Sequence, residues 1–366
     1  MKINGRPYRT IWRDGDAIQV IDQTRLPFAF AEVTLRTAAD AGEAIKTMIV
    51  RGAPLIGATA AYGVALAMKA DPSDSYLADA SEMLRATRPT AVNLAWALTE
   101  MRQTLQLVAP ENRAAAAFQK AAEICDADVA SCAAIGDYGH GISRRLWEGK
   151  GKPARLNILT HCNAGWLACV DWGTALAPIY KAHDAGIPVH VWVDETRPRN
   201  QGASLTAYEL GAHGVPHTVI ADNTGGHLMQ RGQVDMAIVG SDRTTATGDV
   251  CNKVGTYLKA LAAHAHDVPF YVALPSSTID WSLADGRLIP IEERSADELT
   301  HMVGRGADGK LHKVQVVPDG SPGLNVAFDV TPARYVTGLI TERGVCEANR
   351  TALLALYPEQ ARGAAE

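Results

Sequence analysis

From Pro153 to about residue 340 the chain repeats one pattern: a short apolar run, a polar or glycine-containing turn, then a helical stretch. The runs occupy 156–159, 189–193, 218–220, 236–239 and 270–274, and the helical stretches 164–182, 204–211, 225–230 and 254–266. Short apolar runs of this kind suit strands buried on both faces, as in a parallel sheet covered by crossover helices. The segment is therefore expected to form a doubly wound, Rossmann-like α/β domain. No Gly-x-Gly-x-x-Gly follows the first run, so dinucleotide binding is not supported. In open parallel sheets ligands bind beyond the carboxyl ends of the strands. Functional residues should thus follow the apolar runs.

The N-terminal half reads differently. Tyr8, Ile11 and Trp12, then Ile18, Val20 and Ile21, flank an Asp14-Gly15 turn, which predicts a hairpin. From Thr37, a candidate N-cap, to about Leu107 the pattern is helical and alanine-rich, interrupted at Pro54 and Pro89 and turned at Pro72. Residues 110–149 continue as helix into the turn-rich loop 148–153. A chain of 366 residues accommodates two domains. We expect a smaller, mostly helical domain beginning with the hairpin over 1–125 and a Rossmann-like catalytic domain over 126–366, with a helix bridging them. The tail 363–366 is expected to fray.

With 47% apolar and 20% charged residues and a net charge of -5, the composition is that of a soluble globular protein. It argues against nucleic-acid and membrane partners, which need a basic face. No apolar run approaches the ~20 residues of a membrane span, and the N-terminus lacks a signal-peptide core. A cytoplasmic location is expected. Six cysteines without a Cys-x-x-Cys pair suggest free thiols and no zinc site. His264 and His266 read as exposed or satisfied rather than metal-binding.

Four segments follow the runs. In Thr160-His161-Cys162-Asn163-Ala164-Gly165, Cys162 sits at a strand-to-helix turn, where a helix N-terminus would lower its pKa; a buried structural cysteine is the bland alternative. The polar run 194–202 includes Arg197, Arg199 and Gln201; it suits an anion or a merely solvated loop. The stretch 222–227 reads as a helix cap. The strongest signal is 240–253. There Asp242 stands at a strand end, suited to proton transfer, and Asn252-Lys253 are expected to open a helix that could hold a phosphate. In the N-terminal half, Arg51-Gly52-Ala53 resembles an anion-binding turn. Arg88 precedes a Pro-Thr helix start. If both arginines meet the sheet's ligand edge, the site lies between the domains.

Together these stretches resemble the methylthioribose-1-phosphate isomerases. They belong to a family that also holds ribose-1,5-bisphosphate isomerases and regulatory subunits of the eukaryotic translation-initiation exchange factor. The matching pieces include RGAPLIG from Arg51, RPTAVNLAWAL from Arg88, LTHCNAG from Leu159, DETRPRNQGASLTAYEL from Asp194 and GSDRTTATGDVCNKVGTYLKA from Gly240. The resemblance implies Asp242 as general acid/base and Cys162 as the second catalytic group. It implies Arg51, Gly52, Ala53, Arg88, Gln201, Asn252 and Lys253 as substrate ligands, no cofactor or metal, and a homodimer. The implied reaction converts 5-methylthioribose 1-phosphate to 5-methylthioribulose 1-phosphate in methionine salvage; an apolar end pocket suited to the methylthio group would also take 5-deoxyribose 1-phosphate. O1 of such a substrate is blocked by phosphate, so ring opening needs an acid, and a protonated Asp242 fits. Hydrogen then moves from C2 to C1 through an enediol, with Cys162 as base, or by direct hydride shift; the motifs leave both open. A ribose-1,5-bisphosphate isomerase and a non-catalytic regulatory subunit are the competing readings.

Overall fold

The computed structural model describes residues 1–3, 5–89 and 91–361; the tail 363–366 and Thr90 of the Arg88 motif lie outside them. A short ribbon pairs β1 (Lys2–Ile3) with β2 (Arg6–Pro7). The hairpin is β3 (Ile11–Asp14) with β4 (Ala17–Ile21), and β5 (Glu32–Leu35) adds a third antiparallel strand. Thr37 caps α1 (Ala38–Lys46) in a reciprocal box: its hydroxyl accepts from Asp40 N, and the Asp40 carboxylate accepts from Thr37 N. Then come α2 (Ala53–Ala70), α3 (Asp74–Thr87), α4 (Val92–Leu105) and the 40-residue α5 (Pro110–Gly149). Pro54 starts α2 rather than breaking it, because a first-turn N–H has no partner to lose. By length and composition α2 would pass as a membrane span, which the sequence reading overlooked. It is instead the core helix of this half, packed against α1, α3, α4 and α5. Its small residues let those neighbours approach closely. α5 is unbroken and packs on α2 near one end and on α6 (Ala177–Asp184) near the other.

The remaining elements are β6 (Leu156–Thr160), β7 (Val189–Asp194), α7 (Ala207–His213), β8 (His217–Ile220), α8 (Thr224–Gln230), β9 (Met236–Val239), β10 (Arg243–Thr245), β11 (Val250–Lys253), α9 (Thr256–Ala265) and β12 (Phe270–Ala273). They continue with β13 (Ile279–Asp280), α10 (Asp297–Thr300), β14 (His301–Arg305), β15 (Leu311–Gln315), β16 (Phe328–Thr331), β17 (Gly338–Thr341), β18 (Gly344–Cys346) and α11 (Arg350–Leu356). All five apolar runs are strands of one sheet, ordered β18-β17-β12-β9-β6-β7-β8. Its strands are parallel except for the edge strand β18. Taking the parallel strands in chain order, the chain steps outward from β6 to β8, returns to β9 beside β6, and steps out the other way. This is the doubly wound order, and its reversal lies between β6 and β9.

Two expectations fail locally. The helix expected over 164–182 forms only from Ala177; upstream lies a loop with a tight turn at Trp166–Ala168. Gly165 and Gly173 form a β-bridge there, and the Glu209 carboxylate accepts from Trp166 N and Leu167 N, so this backbone is satisfied without a helix. Nor does a helix begin at Asn252-Lys253. Residues 243–253 form the β10–β11 hairpin of a second sheet, β13-β10-β11-β16, and α9 starts at Thr256. Threonine and valine in this segment favour strand, and Gly248, with φ 94°, makes its turn.

Candidate active site

Cys162 follows β6 and Asp242 follows β9, the two strands that flank the reversal. Cys162 has φ 66°, a conformation uncommon for a side chain with a Cβ. It is pinned from both sides: its N–H donates to Thr196 Oγ1 at 2.8 Å, and Thr206 Oγ1 donates to its carbonyl at 2.7 Å. Strain held this firmly is typical of functional positions. The expected helix N-terminus at Cys162 is absent, since α6 starts at Ala177. The expected depression of its pKa fails with it. Burial pushes the thiol above its ordinary range, although Arg51 and Lys253 pull the other way. Asp242 is partly covered and lines the cleft, with protein surrounding it at longer range. That burial raises its carboxyl, against the pull of Lys253, Arg51 and Arg88.

One cleft brings together Arg51, Gly52, Ala53, Arg88, Cys162, Gln201, Asp242 and Lys253. Of the site residues that the resemblance implies, only Asn252 is missing from this wall. It lines an adjoining inner cavity with Arg51, Cys162 and Asp242, and its Nδ2 donates to Thr256 Oγ1. Asn252 and Lys253 lie on β11, so no helix terminus contributes there. Lys253 is buried over the Phe328 ring, and burial lowers its pKa. Arg88 follows the last residue of α3, lines the cleft with Ala91 at the start of α4, and pairs with Glu292 at 3.0 Å. Its Nε is buried without a hydrogen-bond partner, as is Oε1 of Gln201, a residue 8% exposed. Both are polar atoms of cleft-lining residues.

Other residues of the wall were missed. Arg243 and Arg294 line it, as do Met48, Ile56, Ala91, Ile289, Pro290 and Phe328. Arg294 comes from an irregular segment with no periodicity to mark it; its guanidinium bridges Glu292 and Glu298. Of the two arginines flanking Pro198, Arg199 reaches the cleft, while Arg197 donates to the Pro198 and Leu299 carbonyls. Burial works against ionisation of Glu298, but Arg294 and Arg199 outweigh it and hold the carboxyl at about 2. Six cations and a single carboxylate line the cleft, so it favours an anion.

Beneath Cys162, His161 Nδ1 lies 2.9 Å from Asp194 Oδ2 and Nε2 2.9 Å from the Val254 carbonyl. His161, Asp194 and Asp222 have the donor types of a metal site, but Lys259 Nζ, 3.1 Å from Asp194 Oδ2, already supplies the positive charge. A second such group is Asp128, Cys132 and Cys169; burial raises Asp128 to about 7, and both thiols are also raised.

A doubly wound sheet with this cationic cleft at its reversal defines the class, and the chain belongs to the Initiation factor 2 subunit family, whose model matches residues 49–348. Within that family it is 65% identical over 367 residues to a methylthioribose-1-phosphate isomerase of Methylobacterium nodulans, covering all of both chains. It is 66% identical over 364 residues to one of Paramagnetospirillum magneticum, covering 99% of this chain and 100% of the other. The structure matches a 5-methylthioribose 1-phosphate isomerase from Pyrococcus horikoshii with TM-score 0.84 and 38% identity, covering 97% of each chain. It also matches a protein from A. fulgidus described as translation initiation factor eIF-2B, subunit delta, with TM-score 0.79 and 36% identity, covering 96% and 100%.

Proposed function

We propose that this chain is an aldose–ketose isomerase that converts 5-methylthioribose 1-phosphate to 5-methylthioribulose 1-phosphate, a step of methionine salvage. The observation that carries the reading is Cys162 and Asp242 sharing one cation-lined cleft at the sheet reversal. Relatives of that name at 60–66% identity over nearly the whole chain support it. In this reading Arg51, Gly52, Ala53, Arg88, Gln201, Asn252 and Lys253 hold the sugar phosphate. Met48, Ile56, Ala91, Ile289 and Phe328 give the cleft an apolar wall that suits a methylthio group. They would accept 5-deoxyribose 1-phosphate as well. A 5-phosphate fits poorly, because Arg199 and Arg294 are already engaged by Glu298.

Asp242, whose carboxyl burial raises, gives its proton to the ring oxygen and the C1–O bond breaks. The positive charge left at C1 draws hydride from C2. The 2-hydroxyl then returns a proton to Asp242, leaving the C2 ketone and the phosphorylated C1 methylene. A thiol raised by burial holds its proton at neutral pH, so Cys162 is a poor resident base. This favours hydride shift over an enediol. Deuterium at C2 should therefore be retained at C1; its exchange into solvent would refute this route. A coupled assay of wild type, Cys162→Ala and Asp242→Asn tests the function itself. Turnover by wild type and its loss in both variants are expected. Turnover of only the 1,5-bisphosphate would overturn the substrate, and no turnover of either would favour a regulatory subunit.

We also infer a cytoplasmic homodimer whose chains divide near residue 126 within α5. A solution mass of 39.0 kDa at micromolar concentration would refute the dimer.

A further inference from the structure

Arg51 does not stand in the cleft unsupported. Its Nη1 donates to Asn163 Oδ1 and its Nη2 to the Asn163 carbonyl, the latter at 2.9 Å. On its other side the same amide donates: Asn163 Nδ2 reaches Glu209 Oε1 at 2.7 Å and Thr206 Oγ1 at 3.2 Å. A guanidinium offers only donors and an ionised carboxylate only acceptors. The Asn163 amide therefore has one orientation that satisfies both neighbours. Turned over, it would face NH₂ to guanidinium and oxygen to carboxylate.

Glu209 is 0% exposed and comes from α7. Besides Asn163 it accepts from Trp166 N at 2.8 Å, Leu167 N at 3.2 Å and Tyr180 OH at 2.9 Å. Among the described residues no cation lies within ion-pair distance of it. The packing leaves it no slack: a Cβ on Gly165 would stand 1.9 Å from Glu209 Oε2, so only glycine fits beside it. Burial pushes its carboxyl up to about 7, against the hydrogen bonds from Asn163, Tyr180, Leu167 N and Trp166 N. A buried carboxylate without a cation is costly to keep.

We infer that Glu209 is a positioning residue that sets the aim of Arg51 through Asn163. This rests on the phosphate-holding role proposed above for Arg51. Glu209 touches no substrate; it fixes the amide, and the amide holds the Nη1 arm of the guanidinium fork, while the Asn163 carbonyl holds the Nη2 arm. Removing its charge frees the Asn163 amide to turn and the Nη1 arm of Arg51 to swing, which weakens the hold on the anion before and during reaction alike. Such a loss of uniform binding raises KM and spares kcat.

The test compares wild type with Glu209→Gln, Asn163→Ala, the double variant and, as a control, Tyr180→Phe. Steady-state kinetics are read beside the half-saturating inorganic phosphate concentration in a thermal-shift titration. For Glu209→Gln, KM and the phosphate midpoint should rise about tenfold, with kcat within about threefold. The double variant should match Asn163→Ala alone, because the two residues act in series. Tyr180→Phe, which cuts a different bond to the same carboxylate, should lose stability and keep KM. Should Glu209→Gln not fold, Glu209→Asp, which retracts the oxygens from Asn163, serves as the same probe. A fall in kcat at unchanged KM, or additive effects in the double variant, would overturn the relay. If wild type shows no turnover, the proposed reaction falls. The phosphate titration, which needs none, still decides the relay.

Discussion

Gly52→Ala probes the turn on which Arg51 rides. Gly52 has φ 95° and ψ 138°, close to backbone space that is essentially glycine's alone, and occupying it with alanine costs about 1–3 kcal/mol. The added Cβ would also stand 2.5 Å from both Cα and the carbonyl oxygen of Ala168. No real Cβ contact is that short, so the turn or the 166–168 segment must move, at about a further 1–3 kcal/mol. Part of this appears as lost stability and part as displacement of Arg51, the adjoining residue. Losing one charge-assisted hydrogen bond from Arg51 to a phosphate is worth about 1.5–3 kcal/mol, roughly a tenfold to hundredfold drop in kcat/KM. The assay is urea unfolding beside steady-state kinetics. Because the nearest clashing atoms are backbone, adding Ala168→Gly should recover neither quantity. A variant within about 0.5 kcal/mol of wild-type stability and with unchanged kcat/KM would refute the reasoning. So would full rescue by Ala168→Gly.

The other predictions concern the charges of the cleft. Asp242→Asn should lower kcat by about 10²–10⁴-fold while leaving a folded protein, checked by kinetics and circular dichroism. Because burial raises the Asp242 carboxyl, wild-type stability falls as pH rises from its unfolded value of 3.8 to its folded one. Asp242→Asn should therefore be the more stable protein at pH 7 and its equal below pH ~3.5 in urea titrations. Glu298 has the opposite sign: its carboxyl drops from 4.5 to about 2, so its stabilisation is present above the first value and lost as pH falls to the second. After discounting for solvent screening, Glu298→Gln should cost about 1–2 kcal/mol at pH 7 and little at pH ~2. Cys162, buried and raised, should alkylate with iodoacetamide far more slowly at pH 7 than a free thiol, and faster as pH rises; rapid labelling at pH 7 would contradict the burial argument.

How much of this could be read without coordinates follows from the range of the forces involved. Strands buried on both faces announce themselves locally, and all five apolar runs are strands of the sheet. Thr37 capped its helix because a cap is a contact over three residues. The two misplaced helices were settled at a distance. The 164–176 loop is held by Glu209, some 40 residues on, and the β10–β11 hairpin is extended by β13 and β16, which supply pairing that propensity within the segment cannot foresee.

The candidate site shows the same division. Residues at strand ends were legible because parallel sheets put ligands there, and so Cys162 and Asp242 could be singled out before the strand order was known; pairing them rested on the family resemblance. What the sequence pattern lacked was the order itself. Only the return of β9 to the flank of β6 makes those two loops neighbours. Had β9 instead extended the sheet beyond β8, Cys162 and Asp242 would stand about three strand spacings apart, roughly 14 Å, too far to serve one sugar ring. The reversal is thus what turns two separate strand-end residues into one site. Arg294, contributed to the cleft by an irregular segment, has no periodicity around it that could have marked it.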